Sequence, residues 1–213
     1  MIQCLLLMGD VMKIGILGTG NVAGTLARRW LAAGHQVTFG SRDPAARGDL
    51  GAPVASLSDV VAGNEVVVNA TPGTASLALI EGIGADAFAG KVVIDVANAA
   101  TPSFELAYPN SSLAEKLQAA MPGARVVKTM NTAAMTVMTE PASLPPSSVF
   151  VSGDDAAAKA TVTSLLTDFG WPKESVIDLG GIASARGPEH YLLMFTTLMQ
   201  SLHTPMFNIR LVT

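Results

Sequence analysis

Cysteine is almost absent from this chain. Cys4 is the only one in 213 residues, which excludes an internal disulfide framework and any cysteine-based metal cluster. Charge is also scarce. Charged residues make 14% and the net charge is −4, against about 25% charged residues in ordinary domains. With no basic run anywhere, this argues against nucleic acid as a partner. No segment reaches the ~18 apolar residues that a membrane helix needs, so the expectation is a cytoplasmic protein with no membrane partner. Near the start, Leu5, Leu6 and Leu7 resemble part of a signal sequence, but no positive charge precedes them and Asp10 follows. Residues 1–11 therefore read as an N-terminal extension, disordered or translated from a mis-set start with Met12 the real initiator. The length fits one domain over 12–213, with 183–213 forming a C-terminal helix and tail. Hydrophobic residues make 49% of the chain. So apolar a surface predicts that a second copy covers part of it, as in a homodimer.

What is present begins with Lys13-Ile-Gly-Ile-Leu-Gly-Thr-Gly-Asn-Val-Ala-Gly24. A short apolar run, as in a buried parallel strand, enters Gly18-x-Gly20-x-x-Ala23. Gly18 permits the tight turn, Gly20 lets a pyrophosphate approach the backbone, and Ala23 lets the helix pack on the strand. That helix reads 22–33 and stops at Gly34, a suitable C-terminal glycine. Its free N–H groups and partial positive charge, at Asn21 and Val22, suit a phosphate. Strand, glycine turn and helix in this order predict a dinucleotide site.

The next strand, Gln36-Val-Thr-Phe-Gly40, ends in Ser41-Arg42. NAD sites place an acid at this point, whereas NADP sites replace it and bring an Arg to the 2′-phosphate. Ser41 offers a hydroxyl and Arg42 a two-pronged charged contact. The expected cofactor is therefore NADP. Asp43 is placed to cap a helix begun by Pro44. Arg47, one turn on, is then either a second phosphate cation or a solvated surface charge.

Further strands are expected at 65–69, 91–95, 124–128, 148–152 and 175–179, and helices at 57–62, 74–83, 111–120 and 154–169. Ser112 and Glu115 are spaced like a capping box, and Asp154 lies near the cap of the last of these helices. The alternation predicts an α/β doubly wound, Rossmann-type, mostly parallel sheet. Polar residues follow successive strands: Ser41, Thr71, Asn98 and Asn131. In open α/β sheets this edge binds ligands, although Asn, Thr and Pro also favour turns for local reasons. A long apolar helix spans 189–203, and its Met-rich face suits a core, a dimer seam or the wall of a pocket for a flat ligand.

These motifs resemble the F420-dependent NADP reductase family, oxidoreductases that use the deazaflavin coenzyme F420. The resemblance rests on residues 14–23, on Gly40-Ser41-Arg42, on Val93-Ile-Asp-Val-Ala-Asn98 and on Val126-Val-Lys-Thr-Met-Asn-Thr132. It implies that Thr19, Ser41 and Arg42 bind the 2′-phosphate side of NADP. It also implies that Ala70, Thr71, Pro72, Ala97 and Asn98 lie along the cofactor, with Asn131 and the last helix near the second substrate.

No Tyr-x-x-x-Lys pattern of a short-chain dehydrogenase is present, and no His-Asp dyad can be placed. His35, beside Gly34, reads as a surface residue, and His190 and His203 fall on the last helix. The catalytic residues are unassigned. Hydride transfer between two bound rings needs alignment more than acid–base groups. The leading expectation is hydride transfer between NADP(H) and F420 or a flavin-like acceptor. The alternatives are NADPH-dependent reduction of a small carbonyl or imine compound, and a non-catalytic NADP(H)-binding redox sensor.

Overall fold

Three apolar runs, Ile14–Leu17 with a glycine between, Val66-Val67-Val68 and Val92-Val93-Ile94, are buried on both faces. Such runs suit strands covered by helices on either side. The structure, a computed structural model, describes residues 10–212. Leu5, Leu6 and Leu7, and with them most of the expected extension, lie outside the described residues.

The elements follow in the order β1 (Lys13–Leu17), α1 (Asn21–Ala32), β2 (Gln36–Ser41), β3 (Val54–Ser56), α2 (Leu57–Gly63) and β4 (Val66–Asn69). Next come α3 (Gly73–Ile83), β5 (Val92–Asp95), α4 (Leu113–Ala120), β6 (Arg125–Thr129) and α5 (Met135–Thr139). The chain ends with β7 (Val149–Ser152), α6 (Ala156–Thr167), β8 (Val176–Asp178) and α7 (Arg186–Leu202). One 8-stranded sheet has the order β3-β2-β1-β4-β5-β6-β7-β8. All neighbours are parallel except β7, which runs antiparallel to β6. The expected α/β Rossmann-type sheet is therefore the observed one. Chain order reverses between β1 and β4, the crevice where such sheets bind ligands.

Register aligns Gly40, Leu17, Asn69, Asp95 and Lys128 in one row across five strands. This row is the last layer beneath the carboxyl edge, and it sets what the site rests on. One face of the sheet is closed by α1, α5 and α6 through Leu26, Trp30, Val137, Val162 and Phe169. Trp30 and Phe169 lie with ring centroids 4.9 Å apart, joining α1 to the end of α6. The other face carries Val60, Ile80, Phe88 and Leu117. Each such side chain contributes about 1.5–3 kcal/mol on full burial.

Two local expectations need correction, and two details go beyond them. No helix starts at Pro44: residues 42–46 form bends and turns. The Asp43 carboxylate does accept from the Ala46 amide at 3.2 Å. But Gly48 follows within four residues, too few to propagate a helical nucleus. The cap of α6 is Asp155, next to Asp154 as expected: its carboxylate accepts from Ala158 N. Asp154 instead receives the amide of Ile182 at 2.9 Å. The short edge strand β3 was not expected at all. Finally, His35 is buried, not superficial. Its Nδ1 accepts from the Met12 amide at 3.1 Å, so Nε2 carries the proton facing Asp168 Oδ2 at 2.9 Å.

After Glu189, every residue of α7 keeps at least partial solvent exposure. Leu193 and Met194 are 46% and 55% exposed on a largely apolar helix. Phe207 folds back onto Phe195 with centroids 4.9 Å apart. Beyond it the tail is tied to the residues before β7. Ser148 N donates to the Ile209 carbonyl at 2.8 Å, and Asn208 Nδ2 to the Ser148 carbonyl at 3.0 Å. Among the described residues no helix is long and apolar enough to cross a membrane.

Candidate active site at the carboxyl edge

The glycine turn joins β1 to α1 above the crevice. Gly18 takes φ 116°, a conformation costly for residues with a Cβ. A Cβ there would also lie 2.7 Å from the Ala70 carbonyl, so the β1 and β4 loops touch at this point. Gly20 is different. It is the N-cap of α1 with extended geometry, no side chain caps the helix, and its first turn holds no acid. A Cβ at Gly20 would meet nothing within 4 Å. The space over the helix N-terminus is therefore open, and its donors face it unpaired by any side chain. This arrangement fits a pyrophosphate. A cleft of about 380 Å³ adjoins the turn, lined by Thr19, Gly20, Asn21, Arg28, Asp49 and Met135 among others.

Beside it, Ser41 ends β2 and is buried. Its hydroxyl donates to the Asp43 carbonyl at 3.0 Å and accepts from the Asp43 amide at 3.1 Å. Arg47 Nε reaches the same oxygen at 3.4 Å. Although the expected helix is missing, the turn from Pro44 brings Arg47 back to Ser41. Arg47 is exposed, and so is Arg42, the residue after Ser41 in the chain. A guanidinium at a hydroxyl, with a second exposed arginine next to it in sequence, fits a phosphomonoester on the ribose.

Further along the edge, the polar residues face inward. Thr71 donates its hydroxyl to Asn69 Oδ1 at 2.6 Å and lies 2.8 Å from Ser76 Oγ, so only its backbone borders the site. Ala70 and Pro72 flank it at the mouth of the same loop, which Gly73 carries into α3. A Cβ on Gly73 would sit 2.3 Å from the Asn98 carbonyl. The loops after β4 and β5 are thus in backbone contact. Asn98 and Asn131 pair across the next gap, with Asn131 Nδ2 donating to Asn98 Oδ1 at 2.9 Å. Between β6 and Asn131, Met130 takes the left-handed conformation at φ 61°. Asn131 Nδ2 also holds the Pro188 carbonyl of α7 at 2.9 Å. The structure thus brings Ala97, Asn98 and Asn131 together, and joins them to the first turn of α7.

Beneath this surface lies a set of residues not singled out from the sequence. Asn69, Asp95 and Lys128, adjacent in register, are fully buried, and Glu189 of α7 joins them. Lys128 Nζ sits 2.8 Å from Asp95 Oδ2 and 3.1 Å from Glu189 Oε1. The Glu189 carboxylate also caps α4, accepting the amides of Leu113 at 2.7 Å and Ala114 at 3.0 Å. The signal that could have found them is a charged residue closing each of two apolar strands, Val-Val-Ile-Asp95 and Val-Val-Lys128. At the same junction Arg186 grips Glu115 with two bonds of 2.9 and 2.7 Å. That guanidinium holds the Glu115 carboxyl down to about 2, against a desolvation effect, with Ser112 and Ser111 helping. One half of the expected capping box is present: Ser112 Oγ accepts from the Glu115 amide, while the Glu115 carboxylate accepts from the Ser112 hydroxyl.

The three histidines lie outside this constellation. His35 is at the amino end of β2, His190 Nε2 lies 3.1 Å from the Ser111 carbonyl, and His203 ends α7 in the left-handed conformation. None stands free beside the glycine turn as an acid–base group.

The family described as NADP oxidoreductase, coenzyme F420-dependent, matches residues 13–99, the part holding the glycine turn and the loops after β2, β4 and β5. A solved structure from Arthrobacter sp. FB24, provisionally described as an F420-dependent NADP-reductase, is 41% identical. It superposes with a TM-score of 0.89 over 95% of this chain and 100% of that one. The metalloreductase STEAP3 of Rattus norvegicus is 32% identical over 182 residues, 83% of this chain. The chain spans only 36% of that relative's length. An imine reductase from Streptomyces aurantiacus, 20% identical with a TM-score of 0.66 over 90% of this chain and 63% of that one, shares the fold. The uncapped helix over Gly20, the Ser41 corner and a relative of matching length agree: the chain belongs to the coenzyme F420-dependent family of NADP oxidoreductases.

Proposed function

We propose that NADP(H) lies across the carboxyl edge from β2 to β6 and exchanges a hydride with a flat ring, F420 or a flavin-like acceptor. The observation that carries this reading is the open N-terminus of α1 at Gly20 beside Ser41, which Arg47 contacts and Arg42 follows in the chain. The pyrophosphate takes the α1 amides. The 2′-phosphate takes Thr19, Ser41, Arg42 and Arg47. The nicotinamide half runs over the backbone of Ala70, Thr71, Pro72 and Ala97 toward Asn98 and Asn131. Bound NADPH supplies the hydride. The protein's own part is to orient the ring and exclude water, which agrees with the absence of a free acid–base pair among the described residues near the turn. A homodimer is the second element of this proposal: the exposed apolar face of α7 suits a partner copy, which would wall the acceptor pocket.

The test is a mixture of purified protein and NADPH with F420, FMN and a carbonyl and imine panel, followed by loss of NADPH absorbance. Turnover with F420 or FMN is the expected result. Turnover with the carbonyl or imine compounds alone replaces the acceptor, and tight binding without any turnover makes the chain a sensor. Arg42→Ala is expected to weaken NADPH binding roughly 10- to 150-fold and NADH binding hardly at all. An equal effect on both ends the 2′-phosphate assignment.

A further inference from the structure

The buried cation Lys128 has no role in the site as described so far. Its side chain is 0% exposed, and so is that of Asp95. Buried charges persist only when paired and hydrogen-bonded, since removal from water costs several kcal/mol per ion. Here the pairing is complete. The ammonium has three partners: Asp95 Oδ2, Glu189 Oε1 and the carbonyl oxygen of Ala97. Asp95 Oδ1 in turn accepts from Asn69 Nδ2 at 2.9 Å and from the Ala97 amide at 3.2 Å. The chain of bonds goes on through Asn69 Oδ1 to the Thr71 hydroxyl at 2.6 Å. Two arms of this network therefore end on the carboxyl-edge loops, one at the Ala97 backbone and one at the inward-turned Thr71 hydroxyl. Its third arm ends on α7, through a carboxylate that also fixes the start of α4.

We propose that Lys128 is a positioning residue for the nicotinamide half of the cofactor. It fixes the Ala97 peptide directly and the Thr71 loop through Asp95 and Asn69, while Glu189 locks that arrangement to α7. Lys128 touches no ligand itself. It belongs to β6, four strands from the Ser41 corner at the end of β2. Its influence thus falls on one end of the dinucleotide. The adenosine end, held by Gly20, Ser41 and the two arginines, belongs to other elements. This inference rests on the NADP(H) reading above.

The spatial split supplies the experiment. Adenosine 2′,5′-bisphosphate carries only the adenosine end, whereas NADPH carries both. Both are titrated by calorimetry into wild-type protein, Lys128→Met and Glu189→Gln. Removal of Lys128 leaves two carboxylates facing each other, so Asp95→Asn/Lys128→Met is prepared as well, and thermal unfolding confirms which variants fold. The expected result is that folded variants bind the bisphosphate within about twofold of wild type and NADPH at least tenfold more weakly. Parallel losses for both ligands overturn the proposal, because a general structural defect would move both. Unchanged affinity for both overturns it too. Wild-type protein that binds neither ligand overturns the NADP(H) reading and this inference with it, whereas a missing split in the variants overturns this inference alone.

Discussion

Asn98 and Asn131 exchange hydrogen bonds across the gap between two neighbouring loops. Asn98 Nδ2 donates to the Asn131 carbonyl at 2.8 Å, and Asn131 Nδ2 returns one to Asn98 Oδ1 at 2.9 Å. Since Asn131 also holds the buried Pro188 carbonyl, Asn131→Ala leaves that acceptor and the half-buried Asn98 Oδ1 unpaired. The expected cost is about 1–3 kcal/mol, read by urea unfolding, with faster proteolysis at the start of α7. A variant as stable and as protease-resistant as wild type would show that the pair carries no weight.

Two glycines of the site should respond in opposite ways. At Gly73 an added Cβ meets the Asn98 carbonyl at 2.3 Å and the Ala99 nitrogen at 2.6 Å, both backbone. Gly73→Ala is expected to destabilise by about 1–3 kcal/mol or more, the usual range for overpacking. At Gly20 the Cβ meets no protein atom within 4 Å. Gly20→Ala should shift the unfolding midpoint little but weaken NADPH strongly, because the methyl occupies the pyrophosphate's approach. Equal stability losses in both variants would contradict the geometry.

Acid should loosen the junction of α4 and α7 in a defined window. Glu115 is held at about 2 in the fold by Arg186, from an ordinary value of 4.5. A depressed carboxylate contributes stability that is fully present above its unfolded value and is lost as pH falls through its folded one. Wild-type protein should therefore lose stability to urea between about pH 4.5 and 2. Glu115→Gln should show a shallower slope there and a lower plateau at neutral pH. Identical slopes would mean that the Arg186 contact does not persist in solution.

Asp168 tests the opposite end of the sheet. Asp168→Ala leaves the buried Nε2–H of His35 without its partner at 2.9 Å. The expected loss is about 1–3 kcal/mol in unfolding experiments, with NADPH affinity unchanged, since His35 precedes β2 at the edge away from the ligand. A drop in affinity would tie this pair to the site.

Much of this site could be read locally, because its cues are local. Gly18, Gly20 and the apolar run before them need no distant partner to be interpreted. The same holds for Ser41 with Arg42, and for Ser112 with Glu115. The parts missed depend on register and burial. Asp95 and Lys128 look like ordinary strand ends until the sheet sets them side by side. Glu189 joins them from a helix 61 positions beyond Lys128 in the numbering. His35 looks superficial beside Gly34, yet α6 ends against it. The reversed direction of β7 has no local signature either: Val149–Ser152 reads the same way up or down. Thr71 shows the limit of reading strand ends as ligand contacts, since its hydroxyl turns inward to Asn69.

That reversal of β7 acts as a ruler. Parallel strand ends continue along the edge from β3 to β6, and from β2, where Ser41 stands, to β6 is four intervals of roughly 4.8 Å, about 19 Å in all. Past β6 the same edge is made by the amino end of β7, where Ser148 holds the returning tail. The run of parallel strand ends therefore stops at β6. A ligand whose phosphate sat at Ser41 would come level with the β6 end, before Asn131, after those four intervals, so its span would be counted in strands rather than set by any one side chain.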